Sequence, residues 1–132
     1  MNFLLDTHSF LWSVFEPDKL SKKARATLLD DSNVICLSSI SLWEISLKYA
    51  LGKLSLIDCT PEGLVVVAKN MQLTMISPDA DESASFHQLP RTPHRDPFDR
   101  MLTWQAIQRN LVLITKDSAL PAYAGSGLKT LW

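Results

Sequence analysis

The sequence predicts a three-layer α/β domain built on a central, mainly parallel sheet of four to five strands. Three observations carry this. Short apolar runs alternate with longer helical stretches along the whole chain. The runs NFLL, VICL and LVLIT are continuously apolar instead of alternating, as in strands covered by helices on both faces. The stretches between them begin and end at recognisable caps, so strand–helix units repeat without a linker. At 132 residues the chain fits one domain, residues 1–132.

Taken in order, Asn2 to Leu5 reads as a strand that stops at Asp6. Thr7 to Phe15 reads as a helix, with Phe10, Leu11, Val14 and Phe15 on one side, and Pro17 ends it. Ser21 is a good N-cap for Lys22 to Leu29, whose polar face is basic. Val34 to Leu37 is a second strand, and Ser38 to Leu51 a helix closed by Gly52. Thr60 caps a helix with Pro61 in its first turn, running to about Gln72. Leu73 to Ile76 is a third strand and Asp79 to His87 a short helix. After the proline-rich loop QLPRTPHRDP comes a helix from Phe98 to Arg109. Leu111 to Thr115 is the most strand-like run, Asp117 to Tyr123 a helical turn, and Leu128 to Leu131 a last strand.

The bulk numbers exclude several classes. With 46% hydrophobic and 20% charged residues the composition is globular. The formal charge of −1 gives no global basic field, so any nucleic-acid contact must be local. Cys36 and Cys59 read as two reduced thiols. No apolar run is long enough for a membrane span, and the start MNFLLDTHSF, interrupted by Asp6, is not that of a signal peptide. A soluble cytoplasmic protein is expected.

Acids fall at informative places. In such a sheet, function sits beyond the carboxyl ends of the strands. Asp6 ends the first strand and Asp117 follows LVLIT, although either one could simply cap a helix. Glu44 lies on a helix apolar on nearly every side, beside the face of Ile40, Leu47 and Leu51, where a carboxylate needs a partner; an i, i+4 pair with Lys48 is the plain alternative. In HRDPFDRML, Asp96 can cap the helix that Pro97 opens, and Asp99 then sits in its first turn. One acid suffices for a cap, so the second suggests an aimed side chain. Acids converging on one rim repel one another, and a hard cation is the simplest way to keep them ionised. Carboxylates without His or Cys spacing suit Mg²⁺ or Mn²⁺, not Zn²⁺.

The order strand–Asp6, helix–Glu44, helix–Asp99, strand–Thr115-x-Asp117 resembles the PIN domain, a metal-dependent ribonuclease fold. "LLDTH", "SSISLWEI", "HRDPFDRML" and "LITKD" are similar to the toxin ribonucleases of VapBC toxin–antitoxin modules, and the resemblance spans essentially the whole chain. It implies a Mg²⁺-dependent (or Mn²⁺-dependent) endoribonuclease that leaves 5′-phosphate and 3′-hydroxyl ends. By position, Asp6, Glu44, Asp99 and Asp117 become its metal-binding and catalytic acids, with Asp96 and Thr115 as secondary site residues. It also implies a homodimer and a small antitoxin that blocks the acidic rim. The antitoxin is expected in an exposed apolar groove formed by the helices after Thr7 and Ser38. Where the family often carries small alanines one turn after the third acid, this helix reads MLTWQA.

Arg91, Arg95, Arg100 and Lys116 flank the expected site and could meet RNA phosphates, Arg100 foremost; each could equally be half of a surface salt bridge. Trp12, Trp43 and Trp104 fall on helices and read as core. The alternative class is a catalytically silent α/β domain that binds a partner or signals, as a receiver domain does. A receiver wants an acid pair at the first strand, and a haloacid-dehalogenase-type phosphatase wants an acid two residues after Asp6, where His8 stands.

Overall fold

The computed structural model describes residues 1–91 and 95–132; Thr92, Pro93 and His94 of the proline-rich loop lie outside the described residues. Five strands form one sheet: β1 (Asn2–Leu5), β2 (Val34–Ser38), β3 (Thr74–Ile76), β4 (Val112–Ile114) and β5 (Lys129–Leu131). Their spatial order is β3-β2-β1-β4-β5, and every pairing is parallel. Phe3 stands between Ile35 and Val112, and Leu4 between Cys36 and Leu113. The helices are α1 (Thr7–Phe15), α2 (Lys22–Leu29), α3 (Ser39–Ala50), α4 (Pro61–Asn70), α5 (Ala80–Ser85) and α6 (Pro97–Arg109).

Side chains of successive strand residues point to opposite faces, so β1, β2 and β4 each feed two cores. Phe3, Leu5, Ile35, Leu37 and Ile114 pack with Phe10 of α1, Ala24 of α2, Ile45 of α3 and Leu64 of α4. Leu4, Cys36 and Leu113 pack on the other face with Leu102, Trp104 and Ala106 of α6 and with Tyr123. This double covering is why the strands lack polar–apolar alternation.

The caps act as the sequence indicates. Ser21, Thr60 and Asp79 each accept a hydrogen bond from the backbone N–H three residues on. Asp96 caps α6, accepting from Phe98 N at 2.9 Å and Asp99 N at 3.4 Å. Both cysteines are free thiols, and no helix among the described residues is long and apolar enough to cross a membrane.

Some boundaries move. Ser38 completes β2, pairing with Ile76, and caps α3 instead of opening it. Gln72 has φ 60° and lies past the end of α4. The helical turn expected from Asp117 begins at Leu120 and runs to Ser126 as a 3₁₀ helix, because the Asp117 carboxylate accepts from Ala119 N and forms a local turn first. Trp104 is core, its indole N–H donating to Glu82 O at 3.1 Å. Trp43 is not: 61% exposed, it rests edge-on against Phe98 at the surface. Apolar residues fall on nearly every side of α3, so its pattern does not reveal which side faces water.

Candidate active site

Strand order reverses between β1 and β4. The crevice beyond the carboxyl ends of two such strands is where open α/β sheets bind ligands. Asp6 follows β1 directly. Its N–H donates to Ile114 O of β4 at 3.1 Å, and its carboxylate accepts from Ser9 N at 2.8 Å, capping α1. Only 5% of the residue is exposed. Burial pushes its carboxyl up from the ordinary aspartate range, against the hydrogen bonds of Ser9 and Thr115, which pull it down.

Thr115 directly follows the neighbouring strand β4 and is buried. Besides its bond to the Asp6 carboxylate, its hydroxyl accepts from Asp117 N at 3.1 Å. One hydroxyl therefore ties the two strand-end acids into a single unit. Asp99 arrives from a third segment, the first turn of α6, where the helix dipole favours negative charge.

Asp6, Asp99 and Asp117 line one cavity of about 430 Å³, joined by Lys116, Ser118, His8 and Trp12. Glu44 is not in its lining. It is 2% exposed and faces the adjoining cleft, of about 550 Å³, between α1 and α3. There Thr7 Oγ1 donates to Glu44 Oε1 at 2.7 Å and the Lys48 ammonium pairs with Oε2. Lys48 is held above the ordinary lysine range first by that bond to Glu44, with the charges of Asp96 and Asp99 adding to it. The sequence offers the Glu44–Lys48 pair as the alternative to a functional Glu44. The structure forms the pair and also places its ammonium in the field of two further acids.

The expected cations separate. Lys116 lines the acid cavity, its Nζ 5.9 Å from the Trp12 ring centre. Arg100, ranked first from sequence, turns elsewhere: its guanidinium donates to Pro90 O at 3.1 Å and Tyr123 Oη at 2.8 Å and lies over the Phe86 ring. Arg91 and Arg95 are exposed on the loop. Sequence reasoning missed His8 and Trp12, which line both cavities. The signal was available: they stand i, i+4 on a helix that starts at Asp6, so they share the face its first turn presents.

The donor set is carboxylate oxygen, which suits a hard divalent cation in kind. In spacing it is not preassembled: among the described residues no three His, Cys, Asp or Glu side chains are grouped so as to hold a metal ion. A cation would have to draw the carboxylates inward.

Fold and site together define a class: a doubly wound α/β domain whose switch point is lined by aspartates from three segments of chain. Comparison with known proteins gives the family. The PIN domain model matches residues 3–126, and the chain belongs to the PIN domain family. It is 26% identical over 129 residues to "Ribonuclease VapC22" of Mycobacterium tuberculosis, covering 98% of this chain and 97% of that protein. Among solved structures it resembles VapBC2 from Rickettsia felis bound to a promoter DNA fragment (TM-score 0.71, 19% identity, 99% of this chain and 98% of that one). It also resembles DNA-bound VapBC from Salmonella typhimurium (TM-score 0.68, 24% identity, 99% and 97%).

Proposed function

We propose that this chain is a divalent-metal-dependent endoribonuclease, the toxin of a type II toxin–antitoxin module. The observation that carries the reading is the convergence of Asp6, Asp99 and Asp117 on one cavity at the sheet's switch point, in a chain of the PIN family related along its length to a ribonuclease. In the reaction, water adds to the phosphorus of an RNA phosphodiester and the bond to the 3′ oxygen breaks, leaving a 5′-phosphate and a 3′-hydroxyl.

Asp6, Asp99 and Asp117, with Glu44 if Lys48 yields it, would hold Mg²⁺ or Mn²⁺. When bound, the ion supplies a water of lowered pKa and offsets charge on the phosphate. The protein's own part is positional. Thr115 fixes Asp6 relative to Asp117, the α6 cap aims Asp99, and Thr7 with Lys48 holds the Glu44 carboxylate. Asp96 is a cap and a secondary site residue. Lys116 is the cation best placed for a phosphate.

The cleft between α1 and α3 fits the expected antitoxin groove. Leu11, Phe15, Ile45 and Leu54 give it an apolar floor, with Glu44 and Lys48 toward the acids. A basic side chain of a small partner protein laid there would reach the acidic rim. In a homodimer, exposed Trp43 and Leu47 of α3, with Leu51 at its C-cap, would be the surface to cover. Cytoplasmic residence accords with this role.

The test is cleavage of a mixed RNA pool by purified protein in Mg²⁺, in EDTA and with Asp99→Asn. Cleavage requiring both the metal and Asp99 is expected. Cleavage that survives the substitution, or none by a folded wild-type protein across Mg²⁺ and Mn²⁺, would overturn the reading in favour of the binding-only domain.

A further inference from the structure

The charge balance around the acid cavity poses a binding problem. Three aspartates line it, and an RNA phosphodiester brought to them is repelled. A single divalent cation offsets only part of that charge. The chain carries a net charge of −1, so no global basic field draws the polyanion in. Arg100, the cation nearest Asp99 in sequence, is engaged with the 89–90 backbone and Tyr123. Affinity for RNA at this edge therefore gains from a contact that is not ionic.

The wall between the two cavities offers one. Trp12 and His8 line both, and their rings stand 5.7 Å apart, tilted by 43°. Trp12 is braced: the Trp132 ring meets it edge-on at 5.8 Å, and both pack on the core beneath the sheet. It is not a core residue in the manner of Trp104, which is buried with its N–H bonded inside the protein. Trp12 is half-buried, His8 is exposed, and two ammonium groups stand over the Trp12 ring, Lys116 at 5.9 Å and Lys19 at 6.0 Å from its centre. A fixed aromatic ring with flexible ammonium groups over it can serve one nucleotide: the base takes the ammonium's place on the ring face, and the displaced ammonium is left close enough to meet the phosphate.

We propose that Trp12, with His8 beside it, is a stacking platform for one unpaired nucleobase adjacent to the scissile phosphate, and that Lys116 meets the phosphate attached to that nucleoside. The proposal rests on the ribonuclease reading and deepens it. A base can reach the platform only if it is out of a duplex, so the subsite selects a strand end, bulge or loop. Stacking reads the face that every base has, so the platform selects for an unpaired base more than for its identity.

The test is binding of dye-labelled single-stranded RNA octamers by fluorescence anisotropy, in an Asp99→Asn background so that the RNA stays intact. An abasic residue is placed at each position in turn. One position is expected to weaken binding about 5- to 150-fold when its base is removed. Trp12→Leu should weaken binding to the intact octamer by a similar factor and be insensitive to that abasic position, while Trp12→Phe retains most of the affinity. Equal binding by Trp12→Leu, or a loss that is the same at every abasic position, would overturn the platform. Loss of affinity only for a co-expressed small protein partner, with RNA binding unchanged, would overturn it too. Should Trp12→Leu fail to fold, the abasic scan with the parent and with His8→Ala decides alone, since His8 is exposed; no sensitive position then refutes the proposal. The two readings fail differently. If the nuclease reading is wrong, wild-type protein does not cleave in metal although the Trp12 coupling persists. If only the platform is wrong, metal-dependent cleavage persists and Trp12→Leu leaves KM unchanged.

Discussion

Asp6→Asn should abolish cleavage and stabilise the fold, and the two effects share one cause. Asp6 is 5% exposed, and burial raises its carboxyl above the ordinary aspartate value despite hydrogen bonds from Ser9 and Thr115. A raised acid pKa means that the folded chain holds the proton more tightly than the unfolded chain does. Ionisation at neutral pH therefore costs stability. Asparagine keeps an oxygen to accept from Ser9 N, and so keeps the α1 cap, but removes the charge. The expected gain at pH 7 is about 0.5–2 kcal/mol, or roughly 3–5 °C in Tm per kcal/mol for a chain of this size. The pH dependence has a definite sign. The wild-type penalty develops as pH rises from 3.8 to the raised folded value. The advantage of Asp6→Asn should therefore be present at pH 7 and vanish as pH falls through that window. Thermal melts of both proteins between pH 3.5 and 7 in EDTA measure it. An advantage that persists at pH 3.5, or a destabilised variant at pH 7, would refute the reasoning.

Three further predictions rest on single contacts. Lys48→Met strands the Glu44 carboxylate with the Thr7 hydroxyl as its remaining partner among the described residues; because the lysine is itself partly exposed, we expect a loss of about 1–3 kcal/mol in urea unfolding, largely restored by adding Glu44→Gln. Arg109→Leu removes the guanidinium that holds the Glu82 carboxyl below its ordinary value; the cost, about 1–3 kcal/mol at pH 7, should fade as pH drops through the lowered Glu82 pKa, and a pH-independent cost would count against the pair. Asp96→Ala should lose about 0.5–2 kcal/mol of stability as a lost cap yet keep more cleavage activity than Asp99→Ala, which circular-dichroism melts and RNA cleavage together would separate.

The fold was legible because its signals are local. Ser21, Thr60, Asp79 and Asp96 each mark a helix start that the structure realises, and unalternating strands announce helices on both faces. What stayed hidden depends on partners distant in sequence. That Ser38 belongs to both β2 and α3 follows from its pairing with Ile76. That Trp43 faces water while Trp104 is core follows from which side of α3 and α6 the sheet covers. Arg100 stands next to Asp99 in sequence but leaves the helix in the direction of Tyr123. Neighbours along a helix point about 100° apart, so adjacency to Asp99 did not place Arg100 in the cavity. His8 and Trp12 are legible in their i, i+4 spacing, but Trp12 reads as core, as helix aromatics usually do, and His8 reads only as a histidine without zinc-site spacing.

For the acids, capping and catalysis are not competing explanations. A strand that ends where the next helix begins places one residue at both the carboxyl edge of the sheet and a helix N-terminus, and Asp6 occupies that position. Capping gives a carboxylate there a reason to exist before any function. Burial at the switch point then makes its charge costly, and the Thr115 hydroxyl holds it beside Asp117. At α6 the roles fall on two residues: Asp96 takes the cap, and Asp99, one turn further in, lines the cavity. Glu44 differs from all of these. It sits mid-helix on α3 with no backbone N–H to cap, and its neutralising partner is the side chain of Lys48. The three aspartates draw on helix starts and strand ends for their placement, whereas Glu44 depends on a lysine that a divalent cation would have to rival. If the four acids hold a cation as proposed, Glu44 is therefore the one whose contribution should change most with the residue at position 48.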